Sequence, residues 1–177
     1  MNPGELDHDD LWVFGYGSLM WRPGFAFAER QPALLRGAHR SLCVYSWHHR
    51  GTAAAPGLVL GLKRGGSCRG VAYRVPAAAR AETMAYLTER EQQNYVYRER
   101  YPPLRLADGR TVAGLTYMMD PGHTQFAQGL SPEQQLVFVR QGHGISGSCA
   151  DYVRNTYAHL KASGIEDASL AWIVANL

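Results

Sequence analysis

The sequence predicts a single α+β domain, and three observations carry that prediction. Short apolar runs of strand length crowd the first half, one Asp-Gly pair sits between two further apolar runs, and helix-start signals fill the last third. At 177 residues the chain has the usual size of one domain and can bury a core of its own. Residues 1–10 combine Pro, Gly and four acidic residues with little to bury, so they read as a flexible leader ahead of one domain over 11–177.

The runs "LWVFGY", "RSLCVYSW", "GLVLGL" and "GVAYRV" are each expected to form a short strand, because Gly and Pro punctuate the segments between them. After Pro76, "AAARAETMAYLTEREQQ" is rich in helix formers. Met84, Leu87 and Glu91 fall at i, i+3 and i+7, so one stripe carries two apolar residues and then a carboxylate. In "LRLADGRTVAGLTYMM", Asp108-Gly109 signals a hairpin.

Ser131-Pro132-Glu133-Gln134 supplies an N-cap, a proline at the first helical position and a capping-box glutamine, which predicts a helix from about 132 to 142. Ser148 through Asp151 repeats that logic ahead of a helix with Tyr152, Val153, Tyr157 and Leu160 on one face, ending near Gly164. A last helical segment is expected over about 167–176.

Composition excludes several classes of function. No run approaches the roughly 18 consecutive apolar residues of a membrane helix, so membrane insertion is not expected. The start "MNPGELDHDD" lacks the basic and apolar regions of a secretory signal, which points to the cytoplasm. Net charge is +3 and the basic residues are scattered, without the concentrated footprint of a nucleic-acid binder. Cys43, Cys68 and Cys149 are odd in number and widely spaced, as reduced, buried thiols would be. No metal site is expected either: His48 and His49 are adjacent and would point to opposite faces of a strand, while His123 and His143 have no ligand spacing around them.

Two stretches hold chemistry of another kind. In "LWVFGYGSLMW" a strand breaks into Gly15-Tyr16-Gly17-Ser18; a dinucleotide fingerprint would need a third glycine where Met20 stands. The glycines either relieve a bend or turn successive N–H groups outward as a nest for a carboxylate or an oxyanion, with the Ser18 hydroxyl as a further donor. "GISGS" misses the nucleophile elbow, because Ser148 stands at the last glycine position and heads a helix. Glu91, at the end of an apolar stripe, is either a surface partner of Arg90, Arg98 or Arg100, or a buried carboxylate of raised proton affinity fit for general acid/base work; Glu89 and Arg90 should turn toward solvent.

"VFGYGSLMWRPGF", "HHRGTAAAPGLVLGL", "CRGVAYRV", "YLTEREQQNYVYR" and "GISGSCADYV", in that order over residues 12–155, resemble the ChaC family of γ-glutamylcyclotransferases that act on glutathione. The resemblance implies a small mixed β-barrel-like sheet flanked by helices, the γ-glutamylcyclotransferase-like fold. It also implies release of 5-oxoproline and Cys-Gly from a small-molecule substrate, glutathione, with no cofactor. Tyr16, Gly17, Ser18 and Leu19 match the family's substrate loop, Glu91 its catalytic glutamate and Tyr152 a tyrosine of the substrate pocket. Arg50 lies in a closely matching stretch. Tyr97, or alternatively Tyr95, matches a second pocket tyrosine. Two other readings stand beside this one: the same chemistry on other γ-glutamyl amino acids or amines, and a non-catalytic γ-glutamyl-binding module that supports transport. None of these features sets the oligomeric state.

Overall fold

Strand β1, Leu11–Gly15, is buried along its whole length and accounts for the unbroken apolar run at the start of the chain. The computed structural model describes residues 10–91 and 96–177; Tyr95 and residues 1–9 of the expected leader lie outside the described residues. Asp10, the last residue of the expected leader, is held in place. The Asp10 carboxylate accepts hydrogen bonds from Arg74 Nη1 at 2.7 Å and from the Ala77 N–H at 2.9 Å, which fixes the residue that leads into β1.

After β1 come β2 (Glu29–Ser46), β3 (Gly57–Val75), α1 (Arg80–Glu91), β4 (Tyr97–Arg100), β5 (Pro103–Leu106), β6 (Thr111–Met119), α2 (Pro132–Gln141), β7 (His143–Gly144), β8 (Gly147–Ser148), α3 (Cys149–Ala162) and α4 (Ala168–Ala175). They form two compact units. The first holds the chain up to His39 together with Arg64–Met118, and the second holds Arg40–Lys63 together with Met119–Leu177.

In the first unit β1 runs antiparallel to β3, from Leu11 opposite Val75 to Gly15 opposite Val71, and parallel to β6 at Trp12 and Val13. The sheet order β1-β3-β2-β5-β6 with the β6–β1 pairing closes a five-stranded barrel, and β4 is added on the outer side of β6. Helix α1 covers one flank: its Leu87 is fully buried in a cluster with Leu11, Val13, Leu19, Val75, Leu115 and Tyr117, against which Met84, Tyr86 and Tyr97 also pack. The Asp108-Gly109 hairpin forms between β5 and β6, with Gly109 at φ +93.

"LWVFGY" forms the short strand expected of it, β1, but the other three runs are parts of two long strands: "RSLCVYSW" falls at the end of β2, and β3 joins "GLVLGL" to "GVAYRV" through the polar segment between them. A ladder needs only backbone groups, so polarity does not end a strand. Gly65 and Gly66 take the left-handed backbone, at φ +96 and +71, and His39 Nδ1 lies 2.8 Å from the Gly65 carbonyl oxygen.

In the second unit α2, α3 and α4 pack on one another. Ser131 and Gln134 form the full capping box of α2, Ser148 Oγ accepts the Asp151 N–H at 3.1 Å to cap α3, and Asp167 caps α4. The buried stripe of α3 is Cys149, Val153, Thr156 and Leu160, while Tyr152 and Tyr157 stand half-buried beside it. Gly164, at φ +74, ends that helix with its N–H on the Lys161 carbonyl at 3.0 Å. All three cysteines are buried and free.

Candidate active site

The segment that follows β1 is a single tight turn built on the barrel rim. Gly15 has no space for a side chain: an added Cβ would fall 2.9 Å from Leu19 Cβ. Residues Ser18–Met20 form one helical turn, in which the Met20 and Arg22 N–H groups donate to Gly17 and Ser18 carbonyls at 2.9 and 2.7 Å. Gly17, Ser18 and Leu19 open that turn, where the first N–H groups have no partner within it. Buried Tyr73 holds the turn from below, its hydroxyl 2.9 Å from the Leu19 and 2.7 Å from the Met20 carbonyl oxygen. Tyr16, Leu19 and Met20 are buried and Ser18 is exposed, so the turn presents its Gly17–Ser18 crest.

Glu91 is the last residue of α1, on the stripe below Leu87, and its side chain retains 19% exposure. Burial pushes its carboxyl above the ordinary range, and the neighbouring Arg90 cation pulls it part of the way back. Arg90 does not turn toward solvent as its helical position suggested. Its guanidinium donates to the Arg22 carbonyl at 2.7 Å, the Tyr86 hydroxyl at 3.0 Å and Ser18 Oγ at 2.8 Å, and it meets Glu91 Oε1 at 3.4 Å. Strong backbone and hydroxyl acceptors therefore outweigh the helix's tendency to expose it.

Tyr97 opens β4 and packs against the same apolar cluster as Leu19 and Leu87, so Tyr16 to Leu19, Glu91 and Tyr97 all belong to the first unit. Tyr117 in β6 joins them. It is 2% exposed, and among the described residues its hydroxyl has no partner in good hydrogen-bond geometry, with the Glu99 carboxylate within its reach. Burial, with Glu99 and Glu91 close by, pushes its phenol well up, so it stays protonated as a donor. Sequence reasoning named Arg90 as a partner of Glu91, which it is, but missed its hold on the turn after β1, and it missed Tyr117 altogether.

Arg50 and Tyr152 lie together in the second unit. The guanidinium of Arg50 stands over the Tyr152 ring at 5.6 Å and donates to the Ser148 carbonyl at 3.2 Å. Its backbone is packed tightly, since a Cβ on Gly142 would collide with the Arg50 carbonyl oxygen and with Gly57. The Tyr152 hydroxyl accepts the Leu60 N–H at 3.0 Å, and burial pushes its phenol up to about 12. Tyr152→Phe should therefore lower the melting temperature, because a lost intramolecular hydrogen bond costs about 0.5–1.5 kcal/mol; an unchanged melting curve would show that this bond contributes nothing to stability.

The remaining polar candidates are structural. Ser146 sits in the β7–β8 hairpin, where Oγ lies 2.8 Å from His49 Nδ1. The Cys149 thiol lies deep, donates to the Leu58 carbonyl at 3.0 Å and is raised to about 11 by burial, which suits packing rather than nucleophilic attack. Among the described residues no group of three or more His, Cys, Asp or Glu is placed to hold a metal ion, and no helix is long and apolar enough to cross a membrane.

Comparison with known proteins bears on the fold and the family. The chain is 35% identical over 164 residues to a glutathione-specific gamma-glutamylcyclotransferase of Escherichia coli (strain K12), covering 93% of this chain and 71% of that protein. It is 30% identical over 177 residues to glutathione-specific gamma-glutamylcyclotransferase 1 of Homo sapiens, covering 95% and 78%. The crystal structure of a yeast gamma-glutamylcyclotransferase specific to glutathione shares the fold, with a TM-score of 0.84 at 22% identity over 94% of both chains. Residues 11–177 match the family described as ChaC-like protein, so the barrel, its rim turn and the α1 carboxylate are those of a chain that belongs to the ChaC-like family.

Proposed function

We propose that this chain is a glutathione-specific γ-glutamylcyclotransferase, a lyase of the cytoplasm that releases 5-oxoproline and Cys-Gly. The observation that carries the reading is Glu91: a carboxylate of raised proton affinity, in ion-pair contact with the Arg90 side chain that also grips the turn after β1. Relatives that carry this activity in their names span most of the chain, which supports the choice of substrate.

In a γ-glutamyl amide the nucleophile belongs to the substrate. The α-amine attacks the γ-carbonyl, a C–N bond closes the five-membered lactam, and the amide C–N bond to cysteine breaks. Holding the chain curled supplies most of the proximity advantage. Glu91 takes one proton from the α-ammonium before attack and returns it to the departing nitrogen; the second proton of the ring nitrogen leaves to water, and the released amine regains one from water. The N–H groups at Gly17 to Leu19 grip the α-carboxylate or the developing oxyanion, and the Tyr117 hydroxyl offers a further donor near Glu91. Within the first unit Tyr97 completes the set proposed to contact substrate.

Incubation of the purified chain with glutathione and mass detection of 5-oxoproline tests the activity, and absence of product with retained glutathione binding would mark a binding module. A parallel assay with γ-glutamyl-alanine tests specificity; equal turnover would widen the substrate class. Within the turn, Ser18→Ala should cost less activity than Gly17→Val, since the grip depends on backbone geometry more than on one hydroxyl. Equal activity in Gly17→Val and the parent chain would count against the nest.

A further inference from the structure

Arg90 spends its donors unevenly. Nη1 faces the Arg22 and Pro23 carbonyls at 2.7 and 3.3 Å and the Tyr86 hydroxyl at 3.0 Å, and Nη2 donates to Ser18 Oγ at 2.8 Å. The contacts with Arg22, Pro23 and Ser18 reach 67 to 72 residues back along the chain, to both ends of the turn after β1. The contact with Glu91 Oε1 is looser, at 3.4 Å. Gly24, at φ +75, completes the joint: a side chain there would fall on the Tyr86 hydroxyl, so the segment after Pro23 is pressed onto α1 beside Arg90. A guanidinium with five donors in a rigid plane can bridge such targets, and a lysine ammonium cannot.

We infer that Arg90 is a positioning residue: its guanidinium locks the Ser18–Pro23 turn to the end of α1 and so fixes the spacing between the group that grips the γ-glutamyl end and the Glu91 carboxylate that moves its proton. The inference rests on the Glu91 reading given above. The long contact to Oε1 is part of the device. A tight bidentate pair would occupy both carboxylate oxygens, whereas a cation at 3.4 Å stabilises the charge and leaves lone pairs free for the substrate ammonium.

The cation also sets the pH at which Glu91 is ready. Among the described residues, Arg90 is in ion-pair contact with the carboxylate, and the Tyr117 phenol on β6 interacts with it and also with Glu99 and Tyr101. Arg90 is the cation of this group, and Tyr86 meets its guanidinium. Burial raises the Glu91 carboxyl and Arg90 opposes that rise, so neutralising position 90 leaves burial unopposed and moves the acid limb of the rate profile to higher pH.

The test compares Arg90→Met, Arg90→Lys and Glu91→Gln in the full chain, reading kcat/KM for glutathione across pH 5 to 9 (roughly the range in which a perturbed carboxylate titrates) together with thermal melts. Arg90→Met is expected to lose about 10- to 100-fold at neutral pH, as misplaced reacting groups do, with its acid limb displaced upward and part of the loss recovered at high pH. A loss of equal size at every pH, or an unmoved limb, overturns the inference. If Arg90→Met does not fold, Arg90→Lys decides: a severalfold fall in kcat at an unchanged melting temperature supports the lock, and parent-like kcat removes it. Release of 5-oxoproline by Glu91→Gln would instead sink the Glu91 reading itself, a separate outcome.

Discussion

Glu91→Gln should lower kcat/KM for glutathione by about 10²- to 10⁴-fold, the usual loss when a positioned general base is removed, while glutathione still binds. Glutamine keeps the shape and the contact with Arg90 but cannot accept a proton. The same variant carries a stability signature of definite sign. Folding raises the proton affinity of Glu91 above its unfolded value near 4.5, so the folded state disfavours the charged form. Below that value the carboxyl is protonated in both states and no penalty exists; the penalty grows as pH rises through the folded value. The melting temperature of Glu91→Gln should therefore match the parent chain in acid and exceed it at neutral pH. A variant less stable than the parent at neutral pH would mean that the pair with Arg90 outweighs the cost of burying the charge.

Leu87→Ala is the second large effect. Leu87 is fully buried one helical turn before Glu91 and touches the cluster that contains Leu19 of the rim turn and Tyr117 of β6. Truncation of such a leucine costs about 2–5 kcal/mol, which in a chain of this size lowers the melting temperature by roughly 5–15 °C. Activity should fall more than the folded fraction does, because the cavity opens beneath both Glu91 and Leu19. Leu87→Met, which keeps the volume, should stay within about 1.5 kcal/mol of the parent. A stable Leu87→Ala with parent-like kcat would separate the packing of α1 from the chemistry at its end.

What could be read in the residues was the local part. The capping box at Ser131, the N-cap at Ser148, the Asp108-Gly109 hairpin and the stripe ending in Glu91 involve partners within about one helical turn of each other, so sequence spacing reports them directly. Barrel closure is different: the parallel pairing of β1 with β6 joins residues about a hundred positions apart, and nothing in either strand names its partner. The ChaC resemblance, not periodicity, supplied that expectation. Long β2 and β3 were hidden by a polar segment that a backbone ladder does not notice. Arg90 was misread because helical spacing describes where a side chain starts, and a long arginine goes wherever its acceptors are. The Tyr117 hydroxyl could not be read at all, since its burial beside Glu91 and Glu99 comes from strands and a helix brought together only by the fold.

Closure of the barrel has one more consequence, for how copies of the chain meet in a crowded solution. A closed sheet has no raw edge on which another molecule's strand can template, and in the six-stranded sheet, among the described residues, only β4 remains on the outside. That strand is four residues long and reads Tyr-Arg-Glu-Arg. Three charges in so short a rim strand repel intermolecular zippering, so the barrel resists strand-to-strand aggregation at that flank.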